Sequence, residues 1–250
     1  MLNPKDEFYD AFLTHTISML EKFTFNHDDE AITHLFSLLA TSIELLDNML
    51  FLTHNENSRI GIPVLLRSCL EATVDIQFIL KHKSNYQKLK LENLYLWKDI
   101  YEASNQDNAY VKHLKNDTDF RAKATETSLA IKELQSNGVD KASIRSKFKE
   151  TDFLEEYCSL YAILCAHAHN GVHALNLRHI TPVGSSNSID LFRESRMQDF
   201  DSYLGVAVRL IALSVKSIND AFKYGFQDDV DSTEEMIAKR IAHLNNLGIE

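Results

Sequence analysis

The sequence predicts an all-α fold, a single-domain bundle of about eight helices, and three observations carry that prediction. Only 7 Gly and 3 Pro occur in 250 residues, too few turn formers for strands joined by frequent tight connections. Apolar residues recur at spacings of about 3.6 along most of the chain. Hydrophobic residues make up 44% of it, enough at this length for a sizeable packed core.

Each element has its own signal. A first helix starts after Pro4, whose fixed φ suits a first turn, and runs to near Phe23 with Phe8, Phe12, Ile17, Met19 and Leu20 at apolar positions. Asp28 and Asp29 read as the cap of a second helix reaching about Thr53, apolar around much of its circumference and interrupted by Glu44 and Asp47. A third runs from near Ile60 to about Lys81 with Pro63 in its first turn. Its Arg67/Glu71 face also carries Ile60, Val64, Val74 and Phe78, while Leu65, Ile76 and Ile79 cover other directions, so it belongs in the middle of the bundle.

Ser84 is expected to cap a fourth helix through KLKLENLYLWKDIYEAS, and the polar stretch from Asn105 to Asp119 reads as a turn or frayed helix. A fifth helix spans Phe120 to Ser136 and is closed by Asn137 and Gly138; a short basic helix comes next, from Lys141 to Lys149. Thr151 or Asp152 caps the next, histidine-bearing helix, which ends near Gly171. The weakly alternating segment HITPVGSSNSIDLF suggests a small hairpin or a loop near 178–192. Asp199–Tyr224 is a long amphipathic helix, and Ser232–Leu247 a shorter one capped by Ser232 ahead of an acidic turn. The chain reads as one domain, 1–250, with a core of about 28–83 and 151–224 and a periphery of 84–150 and 231–247.

A formal charge of −10, from 36 acidic and 26 basic residues, gives no long-range attraction for a polyanion and excludes broad non-specific nucleic-acid binding, though not a local basic pocket. Cys69, Cys158 and Cys165 are odd in number, lack a C-x-x-C spacing and lie in apolar helical surroundings, so they read as reduced, buried thiols. The amino terminus MLNPKDEFYD has no apolar signal-like run and no stretch is expected to span a bilayer. A cytoplasmic protein with no membrane partner is the expectation.

The functional lead is a polar constellation split between two apolar helices. Arg67 and Glu71 stand four apart in IPVLLRSCLEATVDIQFIL, and His169, Asn170 and His173 close LYAILCAHAHNGVHAL. An Arg in a hydrophobic helix keeps its charge and needs an acceptor or ligand close by. Arg before Glu is the weaker order for an exposed pair, so surface decoration is a poor explanation. A buried ion pair fixing the register of the bundle has about the same weight as a functional site. His169 and His173 share a face with Cys158, Ala162, Cys165 and Ala166, while His167 points away. The plain readings are a core imidazole bonded to a carboxylate such as Glu71 for His169, a helix-end residue for His173, and a helix stop at Asn170–Gly171.

The pattern R-S-C-L-E-A at 67–72, with C-A-H-A-H-N-G about a hundred residues later at 165–171, resembles an uncharacterised bacterial helical family with an Arg/Glu helix and a Ser-x-x-x-His helix. That family is similar to the HEPN superfamily of helical bundles, whose active members are metal-independent ribonucleases of toxin and phage-defence systems. The resemblance covers about Ala31 to Leu175, and Cys165 stands where the pattern often has Ser. HEPN ribonucleases carry their Arg and His on one helix, between one and two turns apart; here the closest counterpart is split between Arg67 and His169.

The resemblance implies RNA cleavage without a cofactor or metal, in the cleft of a homodimer, with an antitoxin or defence partner. In that chemistry His169 moves the proton of a ribose 2′-hydroxyl or of the leaving oxygen, Glu71 orients it, Arg67 stabilises the phosphoryl charge and Asn170 positions the phosphate. His173, Tyr95 and Tyr101 are the substrate-binding candidates, with Trp97 beside the tyrosines as a further stacking surface, although core packing is the commoner use of such rings. Two other readings stay open. Glu71, Asp75, His169 and His173 form two i,i+4 pairs that could serve a metal-dependent hydrolase, against which stands the fixed charge of Arg67. A non-enzymatic interaction or ligand-binding protein, with a structural cluster, is the other.

Overall fold

The second and third helices decide the architecture, because each is apolar on more than one face and can satisfy those faces only by lying inside a bundle. The computed structural model describes residues 4–54, 56–106, 108–183, 185–189 and 197–246; the side chain of His173 lies outside that description. α1 spans Pro4–Lys22, α2 Glu30–Thr53, α3 Ile62–Lys81, α4 Asn85–Asn105, α5 Thr118–Ser136 and α6 Ile144–Glu150. The histidine-bearing helix is continuous but changes its winding, from a short α7 (Leu154–Glu156) through a π turn (Tyr157–Tyr161) to α8 (Ala162–Ala168). α9 is Val172–His179, α10 Met197–Phe222 and α11 Gln227–Asn246. The fold is all-α, with one small hairpin.

α2, α3 and α10 pack against one another at the centre, and α3 also meets α8, α4 and α6. Leu35, Leu39, Leu46 and Met49 of α2, Ile62, Leu66, Leu70 and Ile76 of α3, and Ala207, Ile211 and Ile218 of α10 are fully buried in this seam. Burying a leucine or isoleucine side chain contributes about 1.5–3 kcal/mol, so the seam dominates the favourable side of folding. α1 and α11 pack on each other, α1 against α2 and α11 against α10, while α4 and α5 form an outer pair.

Several boundaries agree with the sequence signals. The carboxylate of Asp29 accepts the Ile32 N–H at 3.3 Å and caps α2, and Asp117 does the same for Phe120 at 2.8 Å and α5. Asn137 and Gly138 close α5, with Gly138 at φ 75° and the Val139 N–H returning to the Leu134 carbonyl at 3.0 Å. The segment 180–189 is an antiparallel hairpin, β1 (Ile180–Val183) on β2 (Ser186–Ile189), with Ile180 opposite Ile189.

Other expectations change. Ser84 makes no capping bond; the next residue, Asn85, is buried instead and donates to the Phe78 carbonyl at 2.9 Å, tying the start of α4 to the end of α3. Thr151 does not open the histidine helix but closes α6, its hydroxyl donating to the Lys147 carbonyl at 2.8 Å, and Asp152 turns the chain at φ 64°. α11 begins at Gln227, so Ser232 lies inside it and Asp228 and Asp229 form its acidic first turn. Ile17, expected on the apolar face of α1, is 44% exposed. Within the polar stretch after α4 lies a 3₁₀ turn, Lys112–Asn116.

α2 is, by length and composition, long and apolar enough to cross a membrane, with a mean hydropathy of 1.5 over 18 residues, which corrects the expectation that no segment reaches that length. Its apolarity has a use within the bundle, since ten of its residues are buried there.

The expected periphery is also not all outside. Phe148 of α6 is fully buried, and the neighbouring Lys147 side chain, only 7% exposed, reaches Asp75 of α3 at 2.8 Å and Glu92 of α4 at 3.5 Å. Burial holds the Asp75 carboxyl above its ordinary range even though the Lys147 ammonium pulls it down. His34 of α2 faces the same group, and burial lowers its imidazole. Removing one partner of a buried pair leaves the other uncompensated, a cost of about 3–5 kcal/mol. Lys147→Met should therefore lower unfolding stability by about 3 kcal/mol at neutral pH. A carboxyl whose folded pKa is raised destabilises only while ionised, so the deficit relative to wild type should shrink as the pH falls toward about 5. Denaturant unfolding of both proteins at the two pH values checks this; an equal deficit at both would show that the stranded carboxylate is not its cause.

Candidate functional site

α3 exposes a polar strip toward the histidine helix because Arg67, Glu71 and Asp75 stand at i, i+4 and i+8. Its two ends have different partners. Asp75 turns to Lys147, while Arg67 and Glu71 meet the π turn and α8. Arg67 Nε donates to Glu71 Oε1 at 3.0 Å, its Nη1 lies 3.0 Å from His169 Nε2, and its Nη2 donates to the Tyr161 hydroxyl at 3.4 Å. Tyr161 in turn donates to Glu71 Oε1 at 2.7 Å, and the guanidinium carbon sits 5.5 Å from the centre of the Tyr161 ring. Four side chains separated by up to 102 residues thus share one hydrogen-bonded cluster.

The cluster lies at the surface. The Arg67 side chain is 23% exposed and that of Glu71 33%, and His169 is open to solvent. Partial burial works against the Arg67 charge, but the Tyr161 hydroxyl and the Glu71 carboxylate outweigh it and hold the guanidinium above its ordinary range. Burial, together with the bond to Glu71, pushes the Tyr161 phenol well above its ordinary range, so it keeps its proton and acts as a donor. A guanidinium has only donors, so in this contact Nη1 donates and His169 Nε2 accepts.

The local fold of the histidine helix explains this arrangement. A π turn adds a residue to one turn, rotating the downstream residues by about 100° relative to a regular helix. Cys158, expected on the His169 face, is consequently exposed, whereas Tyr161 and Cys165 turn toward α3. This corrects the reading of three buried thiols; only Cys69 is fully buried, and burial drives its thiol up to about 12. α8 then stops abruptly. Asn170 takes the left-handed conformation at φ 55°, and the Gly171 N–H bonds the Ala166 carbonyl at 2.8 Å. A Cβ on Gly171 would sit 3.1 Å from the Ala166 Cβ and 3.2 Å from its carbonyl oxygen, so any side chain there would have to push the end of α8 aside by a few tenths of an ångström.

Of the residues singled out in the sequence, Arg67, Glu71 and His169 come together. Glu71 contacts Arg67 and Tyr161, and so orients the guanidinium, not the imidazole. Asn170 is the helix stop, and among the described residues none of the cluster's hydrogen bonds involves its side chain. His173 lies on α9, its side chain outside the described residues. Tyr95 and Tyr101 belong elsewhere, in the α4–α5 layer. Tyr101 is buried edge-on against Phe120 at 4.6 Å, and Tyr95 accepts from Gln135 at 3.0 Å with the Lys141 ammonium over its ring. Trp97 is exposed beside Tyr101 in the same layer.

Glu44 and Asp47 point outward from α2. The four-ligand metal arrangement is taken apart by cations of the protein itself, Asp75 by Lys147 and Glu71 by Arg67. Among the described residues no group of three or more His, Cys, Asp or Glu side chains is placed to hold a metal ion.

Sequence reasoning missed Tyr161 and Lys147. Tyr161, Cys165 and His169 stand at i, i+4 and i+8, the same spacing as Arg67, Glu71 and Asp75, so the regular winding of α8 keeps Tyr161 on the His169 side, and that spacing was its signal in the sequence.

Comparison with curated proteins and with solved structures finds no match. Residues 33–187, which include α3, the π turn, α8 and the whole cluster, match the model of a family of unknown function, DUF5677. Since that match spans more than half of the 250 residues, the chain belongs to the DUF5677 family.

Proposed function

We propose that this DUF5677 protein is a metal-independent endoribonuclease of HEPN-like architecture, acting at the Arg67–Glu71–Tyr161–His169 cluster. The observation that supports the reading is the 3.0 Å contact between Arg67 Nη1 and His169 Nε2. It unites across two helices the Arg and His that a HEPN ribonuclease carries on one. In this reading His169 accepts the proton of a ribose 2′-hydroxyl, whose oxygen attacks the adjacent phosphorus. The bond to the 5′ oxygen breaks, that oxygen takes a proton from the imidazolium or from water, and a cyclic phosphate and a 5′-hydroxyl end remain. Arg67 stabilises the charge on the non-bridging oxygens, and Glu71 and Tyr161 hold it in place. A cytoplasmic homodimer, within a toxin or phage-defence system that supplies an antitoxin or defence partner, completes the proposal.

One observation favours a second reading, a ligand-binding or interaction protein without catalysis. Arg67, Glu71 and Tyr161 already satisfy one another, as a structural ion pair would.

Incubation with single-stranded RNA in excess chelator separates the two. The proposal expects cleavage to cyclic-phosphate ends by wild type and a loss of about 10²–10⁴-fold in His169→Ala, the usual contribution of a general base, with thermal unfolding unchanged. No cleavage by wild type, or equal cleavage by the variant, would leave only the second reading. Tyr161→Phe removes one bond to Glu71 and one from Arg67 while keeping the ring, and should slow cleavage about tenfold, equivalent to about 1.4 kcal/mol; a rate equal to wild type would remove any role of the hydroxyl in cleavage.

A further inference from the structure

The contact between Arg67 and His169 constrains what the cluster binds and how. Arg67 donates everywhere and accepts nowhere, so the 3.0 Å approach of its Nη1 to Nε2 exists only while that nitrogen has no proton. A proton on Nε2 would set two cationic donors against each other at that distance. The surrounding groups are Arg67 and Glu71 from α3, and Tyr161 and Cys165 from the π turn and α8, with His173 next along the chain on α9. Glu71 Oε1 is already engaged by Arg67 Nε and by the Tyr161 hydroxyl. An anion placed between the two cations relieves the conflict. The position is reachable, since His169 is exposed and Arg67 partly so.

We infer that Arg67 and His169 form a proton-coupled oxyanion site: a phosphoryl- or sulfate-type anion draws the guanidinium edge away from Nε2, the imidazole takes up one proton there, and both groups then donate to the same anion. In the resting protein Arg67 occupies the lone pair that a general base needs, so the site stays closed until an anion claims the guanidinium. An anion without a hydroxyl leaves the proton to come from solvent; an RNA diester supplies it from its own ribose. The inference builds on the reading of the cluster as a phosphoryl site, but its test reads binding and not cleavage.

The probes are sulfate, which does not titrate near neutrality, and a 2′-deoxy dinucleotide, whose diester lacks the attacking hydroxyl. Calorimetric titration of the full chain at constant ionic strength, in two buffers of different ionisation enthalpy, gives the protons taken up per anion bound. Wild type is expected to take up protons and to bind about tenfold more weakly for each pH unit above the range in which a histidine holds its proton. His169→Gln keeps an acceptor for Arg67 but cannot be protonated, so it should bind weakly, with no proton uptake and no pH dependence. Absence of saturable binding of either probe by wild type, pH-independent binding by wild type, or the same pH dependence in His169→Gln would each overturn the inference. Proton-coupled binding without RNA cleavage would sink the ribonuclease and leave this site standing; cleavage with no proton uptake would do the reverse.

Discussion

The arrangement depends on the three-way hydrogen bonding of one guanidinium. Arg67 sits on α3, a helix apolar on more than one face, at a partly buried position, and the fold supplies Glu71 from the same helix and Tyr161 and His169 from another. The docking of α8 on α3 is specified by this cluster at one end and by the apolar seam beneath it. The π turn lies just before this contact and changes the facing of the residues upstream of it, Cys158 among them, while Tyr161 reaches Glu71 and Arg67 in the regular register of α8.

Two other ion networks in the protein differ from this one in their exposure. Arg240 of α11 bonds Asp201 of α10 at 3.3 Å, with side chains only 9% and 15% exposed, and Tyr9 of α1 donates to the same carboxylate at 3.0 Å. Lys147 is buried between Asp75 and Glu92. Each network joins three helices and is largely closed to water, which suits fixing helices to one another. The Arg67 cluster holds an exposed imidazole and a partly exposed guanidinium. Exposure adds little to stability, since solvent screens such a pair, but it admits a substrate.

The helices and the central place of α3 were legible in the sequence because they depend on periodicity, which is local. The pairing of Arg67 with His169 was legible in outline for a different reason: a charge stranded in an apolar run requires a partner, and the chain offers few. Harder to read were features set by tertiary contact. Ser84 carries the chemistry of a cap, yet the buried bond from Asn85 to Phe78 decides where α4 starts. Lys147 looked like one charge in a basic surface helix, and its burial is explained by Asp75, seventy-two residues earlier in the chain. Tyr101 looked free to stack a base and is instead held by Phe120. Cys158 was misjudged because a π turn stands between it and His169, and a single extra residue in one turn changes the facing of everything on its far side.

Every role given to the cluster turns on His169 acting as an acceptor. Long-range proton–nitrogen NMR of ¹⁵N-labelled protein distinguishes the two imidazole nitrogens directly. In the anion-free protein His169 should carry its proton on Nδ1, and Arg67→Lys should shift its Nε2 resonance more than that of any other histidine. A ring protonated at Nε2, or an Nε2 resonance indifferent to the loss of the guanidinium, would contradict that role.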